Sequence, residues 1–203
     1  MKCVRLAEFR MQSQRANPHW FNGAVASFGS ETARLLVVGL APGLQGANRT
    51  GRPFTGDYAG ELLYQTLADL GFSSGTYAAR PDDGLQLIDC MITNAVRCVP
   101  PQNKPTAAEI KTCGTFLAAR IASLLHLKAI VALGRIAHDA TLVALGQRKS
   151  QFQFAHGASH PATETLRMFD SYHCSRYNTN TGRLTPEMFA DVFCAAKQYL
   201  DRH

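Results

Sequence analysis

Three side chains that could hold a flat, polar ligand stand in separate segments of the sequence: Asn94, His173 and Phe54. Asn94 lies inside an apolar run, and its amide presents a donor beside an acceptor. His173 follows a second apolar run, where its ring could stabilise negative charge on a bound oxygen. Phe54 lies in a glycine-rich turn and could stack on the ligand. Each also has a structural interpretation, as an amide bonded to backbone, an exposed loop histidine and a core aromatic.

Cations accompany these side chains in the two loops that carry Phe54 and His173. The loop arginines are Arg49, Arg52, Arg176 and Arg183. The chain has a formal net charge of +6 and a pI of about 9.1, and clustered cations neutralise phosphates. Tyr177, between Arg176 and Asn178, could fill the gap left when a base leaves a nucleic-acid stack. The same residues could equally form an ordinary exposed loop.

The elements that position these residues alternate between strand and helix. Apolar runs predict strands over residues 35–40, 90–96, 129–133, 152–154 and 166–172. Helical periodicity and capping residues predict helices over residues 60–70, 106–125, 134–146 and 186–203. The second of these helices begins with a capping box of Thr106 and Glu109. Such alternation is typical of the α/β class, here a three-layer α/β/α fold with a mainly parallel central sheet and ligand sites at the carboxyl ends of its strands.

Length and composition restrict the class of protein. A chain of 203 residues predicts a single domain, residues 1–203. No apolar segment reaches the roughly 18 residues that span a bilayer, and the first ten residues lack the apolar stretch of a secretory signal. We therefore expect a cytoplasmic monomer without membrane contact. Neither the Walker pattern nor GxGxxG is present, which argues against a phosphate loop.

Several segments resemble, in the right order, the uracil-DNA glycosylase superfamily, and most closely its family five, the broad-specificity bacterial type. They extend from about residue 34 to the last helix. The matching segments are 39–43, 46–57, 82–85, 93–106, 131–134, 156–158, 171–173 and 178–185. The most specific are Gly39-Leu-Ala-Pro-Gly43 and Gly46-Ala-Asn-Arg-Thr-Gly-Arg-Pro-Phe-Thr-Gly-Asp57.

The resemblance implies hydrolysis of the N-glycosidic bond of uracil and other deaminated bases in single- or double-stranded DNA, by base flipping and water attack, leaving an abasic site for base excision repair. It implies no cofactor for catalysis and a location at the nucleoid. Phe54 would stack on the flipped base, Asn94 would read its edge, and His173 would bond the base O2. The remaining pocket residues would be Ala41, Pro42 and Gly43, and the DNA contacts Arg49, Arg52, Arg176, Tyr177, Asn178 and Arg183.

Three positions differ from residues that some or all of the relatives carry. Asn48 stands at the family-five counterpart of a carboxylate that assists the attacking water in several relatives, so Asn48 would orient water without deprotonating it. Ala41 stands where other families carry Asp or Asn, which predicts broad specificity that includes hypoxanthine. Cys174 replaces a proline in the loop that grips the base.

Iron is a further departure. Relatives hold a four-iron, four-sulfur cluster through four cysteines, of which Cys3, Cys98 and Cys113 match three. The first ligand would precede residue 1, so either the true start lies upstream or the cluster has been lost.

Two other functions stay open beside the glycosylase. One is a damage-binding module of the same fold with little or no cleavage, and the other is a hydrolase of free nucleosides or nucleotides.

Overall fold

The computed structural model describes residues 3–203, and its elements alternate as the sequence predicts. The helices are α1 (Val4–Ala16), α2 (Ala47–Thr50), α3 (Tyr58–Asp69), α4 (Ala107–Ser123), α5 (Arg135–Ala144), α6 (Arg176–Asn180) and α7 (Pro186–Arg202). The strands are β1 (Phe28–Gly29), β2 (Leu35–Gly39), β3 (Ser73–Ser74), β4 (Gln86–Leu87), β5 (Cys90–Asn94), β6 (Ala129–Leu133), β7 (Ser159–Pro161) and β8 (Arg167–Ser171). Two short 3₁₀ turns cover Pro101–Asn103 and Lys149–Gln151.

Six strands form the central sheet in the order β1-β5-β2-β6-β8-β7, and β3 and β4 form a separate pair. The four inner strands run parallel, while β1 and β7 close the two edges antiparallel. Gly39 pairs with Asn94, and Leu133 pairs with Ser171. The carboxyl ends of the inner strands therefore meet at one edge of the sheet, which is where open α/β folds place their ligand sites.

The sheet separates two apolar layers, because alternate side chains of a strand point to opposite faces. On β2, Leu35 and Val37 pack with α3 and α7, whereas Leu36 and Val38 pack with α4 and α5. Every residue of β2, β5 and β6 is buried, as expected for parallel strands covered on both faces. The predicted three-layer α/β/α fold is confirmed.

The helix α1 is an element that the sequence pattern did not indicate. Its buried side chains are few, Leu6, Ala7 and Ser13, so its apolar periodicity is weak. An ion pair holds it to α4, because Arg5 donates to both carboxylate oxygens of Glu109 at 2.8 and 2.7 Å. Glu109 also accepts from the Thr106 backbone, which confirms the predicted capping box.

The predicted strand over residues 152–154 is wrong. The strand that pairs with β8 is β7, later in the chain. The Phe152 carbonyl oxygen is bound by the ring of His138 at 3.1 Å, and the Phe152 ring packs against His160. Because a side chain occupies its backbone acceptor and its ring packs inward, this segment follows an irregular path in place of a sheet ladder.

Within residues 3–203, none of the helices combines the length and the apolar character that crossing a bilayer requires.

Candidate active site

A cavity of about 410 Å³ opens at the carboxyl edge of the sheet, between the loop after β2 and the loop after β8. Its volume is typical of small-ligand sites. Its lining residues are Leu40, Ala41, Gly43, Ala47, Phe54, Asp57, Tyr58, Ala59, Asn94, Asn103, His173, Ser175 and Arg176. Phe54, Asn94 and His173, which lie up to 119 positions apart in the sequence, therefore face one space.

Asn94 reaches the cavity because its strand partner has no side chain. A methyl group added at Gly39 would collide with Asn94 Oδ1 and would lie 2.5 Å from the Phe54 ring. Asn94 is 6% exposed, and its Oδ1 has no hydrogen-bond partner among the described residues. A buried amide oxygen without a partner is costly, so Asn94 has an acceptor ready for a donor on a ligand. The alternative that backbone groups satisfy this oxygen is not what the structure shows.

Phe54 is held against the cavity in an uncommon backbone conformation. Its φ of +52° lies in the left-handed region, which bulky residues rarely adopt and which costs of order 1–3 kcal/mol. The Phe54 ring is roughly parallel to the His173 ring, with an interplanar angle of 27° and centroids 6.0 Å apart. Two flat faces are thus presented to the same ligand volume.

His173 is placed by the loop after β8 and by α6. Asn178 donates from Nδ2 to the His173 carbonyl oxygen at 2.8 Å, which fixes the backbone that carries the imidazole. Burial lowers the pKa of His173 to about 4, because the charged ring would lose its hydration. His173 is therefore a neutral donor at neutral pH.

Cys174, the residue that departs from the proline of the resembling loops, is buried and packed against α3. Its thiol lies 3.5 Å from the carbonyl oxygen of Ala59, which lines the cavity. Burial raises the pKa of the Cys174 thiol, so the group stays protonated and can donate this hydrogen bond. The thiol thus joins the histidine loop to the first turn of α3.

The structure does not bring Asn48 and Pro42 into the cavity lining. Asn48 is fully buried, and its Nδ2 donates to Ser13 Oγ at 3.2 Å and to Asn22 Oδ1 at 3.0 Å. Pro42 is buried beneath the loop. Asn48 therefore connects α2 to the N-terminal segment, and a direct contact with the attacking water stays a prediction.

The prediction that Arg52 contacts DNA is corrected by its burial. Arg52 is 5% exposed, and its two terminal nitrogens donate to both oxygens of Asp83 at 2.8 and 2.7 Å. Its Nε donates to Thr55 Oγ1 at 2.7 Å, and its guanidinium lies over the rings of Tyr64 and Tyr77. The hydrogen bonds from Arg52 hold the pKa of Asp83 well below its usual range. The buried Arg52 guanidinium therefore stabilises the loop after β2.

The other loop arginines lie at the surface, and of these Arg176 lines the cavity. Arg49, Arg176 and Arg183 are exposed. The Arg176 guanidinium lies 5.2 Å from the centre of the Tyr58 ring at the mouth, and Tyr177 on the same short helix is 73% exposed. These side chains remain available to a phosphate backbone and a base stack, whereas Asn178 is engaged with the loop.

Sequence reasoning missed several lining residues, above all Asp57, Asn103 and Ser175. Asp57 is the last residue of the motif that begins at Gly46. An aspartate directly before a helix is first interpreted as an N-cap. Asn103 reaches the cavity from the end of the 3₁₀ turn Pro101–Asn103. Its left-handed φ of +57° belongs to an irregular segment, which hydrophobic periodicity does not predict. An acidic residue inside a loop otherwise rich in glycine and arginine was the signal that could have identified Asp57.

The comparisons with known proteins show which family the chain belongs to. The family model of the uracil DNA glycosylase superfamily matches residues 26–197. The chain belongs to this superfamily. It is 46% identical to the type-5 uracil-DNA glycosylase of Thermus thermophilus over 97% of the chain and 91% of that protein. The type-5 enzymes of Mycobacterium leprae and Pyrobaculum aerophilum are 42% and 40% identical, over 97% and 94% of the chain and 89% and 84% of their own lengths.

The three cysteines that the sequence resemblance assigns to an iron-sulfur cluster lie in one apolar cluster beside the cavity wall. Cys3, Cys98 and Cys113 pack in one cluster with Leu6, and Ala41 of the cavity wall packs against the same cluster. Burial raises the pKa of the Cys98 and Cys113 thiols. The residues fit an iron-sulfur cluster in donor type, but the described part of the chain supplies three of the four expected thiolates.

Iron content tests this fit. With three thiolates, we expect the 203-residue chain, purified in air, to carry less iron than a complete cluster and to show only a weak visible sulfur-to-iron band. Iron analysis and absorbance measure both quantities, and Cys113→Ser is the matched variant. A full and stable visible band that Cys113→Ser abolishes would contradict the expectation.

Replacing Arg52 tests its structural role. Arg52→Ala should lower the free energy of unfolding by about 3–5 kcal/mol, because it leaves the buried Asp83 carboxylate unpaired. Urea denaturation measures this loss. Since the Asp83 pKa is lowered in the folded state, its stabilisation is present above the ordinary carboxyl pKa and is lost as pH falls through the lowered value.

Arg49→Ala is the matched control for Arg52→Ala, because Arg49 is exposed in the same loop and its removal should change stability by about 0.5 kcal/mol or less. An Arg52→Ala protein with parental stability and weaker DNA binding would restore Arg52 as a DNA contact.

Proposed function

We propose that this protein is a monofunctional uracil-DNA glycosylase, which hydrolyses the N-glycosidic bond of uracil in DNA and leaves an abasic site for base excision repair. The observation that carries the proposal is the convergence of Phe54, Asn94 and His173 on one cavity. A stacking ring, an amide with an unpaired oxygen and a neutral imidazole match a base's face, edge and leaving-group oxygen. The relatives named as type-5 uracil-DNA glycosylases over nearly the whole chain support it.

Base recognition follows from the amide. Asn94 Oδ1 would accept from the N3–H of uracil, which satisfies an acceptor that otherwise stays unpaired, and its Nδ2 would donate to O4. Cytosine has an acceptor at N3 and a donor at C4, so it would oppose both groups. Phe54 would stack on the face of the extruded base, and its fixed backbone keeps the ring in place before the base arrives.

Bond cleavage is assisted from the leaving-group side. As the bond between C1′ and the base nitrogen breaks, positive charge develops on the sugar and negative charge on the base. His173, neutral because its pKa is lowered to about 4, would donate a hydrogen bond to the base O2 and stabilise that negative charge. The reaction consumes water as its co-substrate, and no cofactor enters its balance.

DNA is the substrate that suits the cavity's surroundings. Tyr177 would enter the gap left by the flipped base, with Arg176 and Arg49 holding phosphates. The walls at Ala41, Gly43 and Ala47 carry small side chains, which leave room beyond a pyrimidine and support activity on hypoxanthine and other deaminated bases. We also propose that the enzyme acts as a monomer at the nucleoid, in the cytoplasm.

A damage-binding module is the second candidate, favoured by the position of Asn48 outside the cavity lining. An oligonucleotide with a single uracil separates the two functions: alkali-labile product shows a glycosylase, and tight binding without product shows the module. Turnover of free deoxyuridine, with no salt-dependent affinity for DNA, would instead indicate a nucleoside hydrolase.

Removal of the imidazole tests the cleavage step. His173→Ala should lower the single-turnover rate on uracil DNA by at least about tenfold, because one donor to the leaving group is lost. DNA affinity, measured with an uncleavable uracil analogue, should stay nearly unchanged. His126→Ala is the matched control, because His126 is exposed and absent from the cavity lining. Equal rates in His173→Ala and parent would remove His173 from the mechanism.

Removal of the amide tests edge recognition. Asn94→Ala should lower the excision rate of uracil by about ten- to a hundredfold, and that of hypoxanthine by less. Hypoxanthine offers a similar edge in its N1–H and O6, but its purine ring system sets that edge farther from the glycosidic bond than the N3–H and O4 of uracil, which the amide would bind in the proposed function. Single-turnover rates on oligonucleotides that carry one lesion each give the ratio. A uniform loss on both lesions would show that Asn94 acts on shape or stability without reading the edge.

A further inference from the structure

The cavity contains one carboxyl group that has no role in the scheme above. Among the lining residues of the described chain, Asp57 alone has an acidic side chain. It precedes α3 and stands on the wall formed with Tyr58 and Ala59. Hydrolysis requires an acceptor for the proton of the attacking water, and a carboxylate is the side chain that most often supplies one beside histidine.

The two oxygens of Asp57 have different surroundings. Oδ1 accepts a hydrogen bond from the Gly60 backbone nitrogen at 3.2 Å and thereby caps α3. A methyl group added at Gly43 would come within 3.1 Å of Oδ2, and one added at Gly46 would collide with it. Gly43 and Gly46 therefore approach Oδ2 closely, and because Gly43 and Asp57 both line the cavity, Oδ2 lies beside this wall of the site.

We propose that Asp57 is a catalytic residue, whose Oδ2 accepts a hydrogen bond from the attacking water and then its proton. This inference rests on the proposed glycosylase function. In the step, the water oxygen bonds to C1′ while the bond from C1′ to the base nitrogen breaks. The bonding electron pair leaves with the base, whose charge His173 stabilises. The water proton passes to Asp57 and from there, through solvent, to the released base.

The other cavity groups do not fill this role. Asn94 is an amide and cannot accept a proton at neutral pH. Arg176 is a permanent cation. Asn48, which occupies the position of a carboxylate in several relatives, is an amide and bonds to Ser13 and Asn22 outside the lining. Asp57 supplies a carboxylate to the cavity from a different position in the chain.

The electrostatic surroundings of Asp57 strengthen it as a base. Burial is the main reason that its pKa is raised above the usual range, and the charge of Glu61 on α3 adds to it, against hydrogen bonds from the Ala59 and Gly60 backbone. The other ionisable groups around it are Tyr58, Tyr77, Cys174, His173 and Arg176. A carboxylate with a raised pKa holds a proton more strongly, which makes proton transfer from water more favourable.

Asp57→Asn tests the proposal with the helix cap retained, because asparagine caps a helix as well as aspartate does. Single-turnover rates on uracil DNA with enzyme in excess should fall on the order of 100-fold. The parent's rate should be high above the raised pKa of Asp57 and fall as pH decreases through it. This acid limb should vanish in Asp57→Asn. Affinity for an uncleavable uracil analogue and the unfolding temperature should stay close to the parent's.

Glu61→Gln is the matched control, because Glu61 is exposed on α3 and absent from the cavity lining. It should keep the parental rate at neutral pH. Its acid limb should move to lower pH, since removal of the neighbouring negative charge lowers the pKa of Asp57. Asp57→Ser, which also retains a capping oxygen, takes the place of Asp57→Asn if that variant does not fold.

The possible outcomes distinguish the role of Asp57 as proton acceptor from the proposed glycosylase function. Parental rates in Asp57→Asn, or a slower variant that keeps the acid limb, would overturn the role of Asp57 as proton acceptor while the glycosylase function stands. A parent that yields no abasic product at any pH would overturn both.

Discussion

The site depends on a close approach between neighbouring parallel strands at the carboxyl edge of the sheet. Gly39 pairs with Asn94, and the space that a side chain at Gly39 would occupy holds the Asn94 amide and the edge of the Phe54 ring. A strand residue and a loop residue thus share the volume of one missing methyl. Because β6 pairs with β8 in register up to Ser171, the chain that follows β8 returns His173 to the same volume. Hydrogen bonding between the strands therefore determines where the residues of the site meet.

Around this point the protein places its rigid interactions in the loop after β2. The buried pair of Arg52 and Asp83 ties that loop to the segment before β4. Asn48 ties it to α1 through Ser13, and Asp57 begins α3. These three contacts fix the loop to the rest of the protein. They can therefore hold Phe54 in a left-handed conformation that would relax in a free peptide. The strain is sustained by tertiary structure.

Much of the frame could be predicted from sequence. The strands β2, β5 and β6 are continuous apolar runs, and Thr106 with Glu109 marks the start of α4, so local rules suffice for them. The weakly amphipathic α1 escaped because three buried side chains are too few for a periodic signal. Residues 152–154 look like a strand by composition, yet a side-chain hydrogen bond from His138 decides their path. Such long-range contacts leave no local mark.

The same distinction applies to the site. Asn94 and His173 were predictable because polar residues stand where strands end, and Phe54 because an aromatic ring stands in a glycine-rich turn. The resemblance to known glycosylases points to the same positions. Arg52 was misjudged because charge suggests a surface role, and only the structure shows that Asp83 and a set of aromatic rings enclose it. Asp57 was passed over because a helix cap explains one of its oxygens. The type of a residue limits the reactions and contacts that it can make, and the neighbouring residues determine which of these it makes.

Asn178 connects two side chains of the proposed mechanism. It donates to the backbone carbonyl oxygen of His173, and Tyr177 precedes it on the same five-residue helix. The residue that would enter the duplex and the residue that would contact the leaving group are therefore joined through one short helix. A displacement of that helix on DNA would reach the backbone of His173 as well.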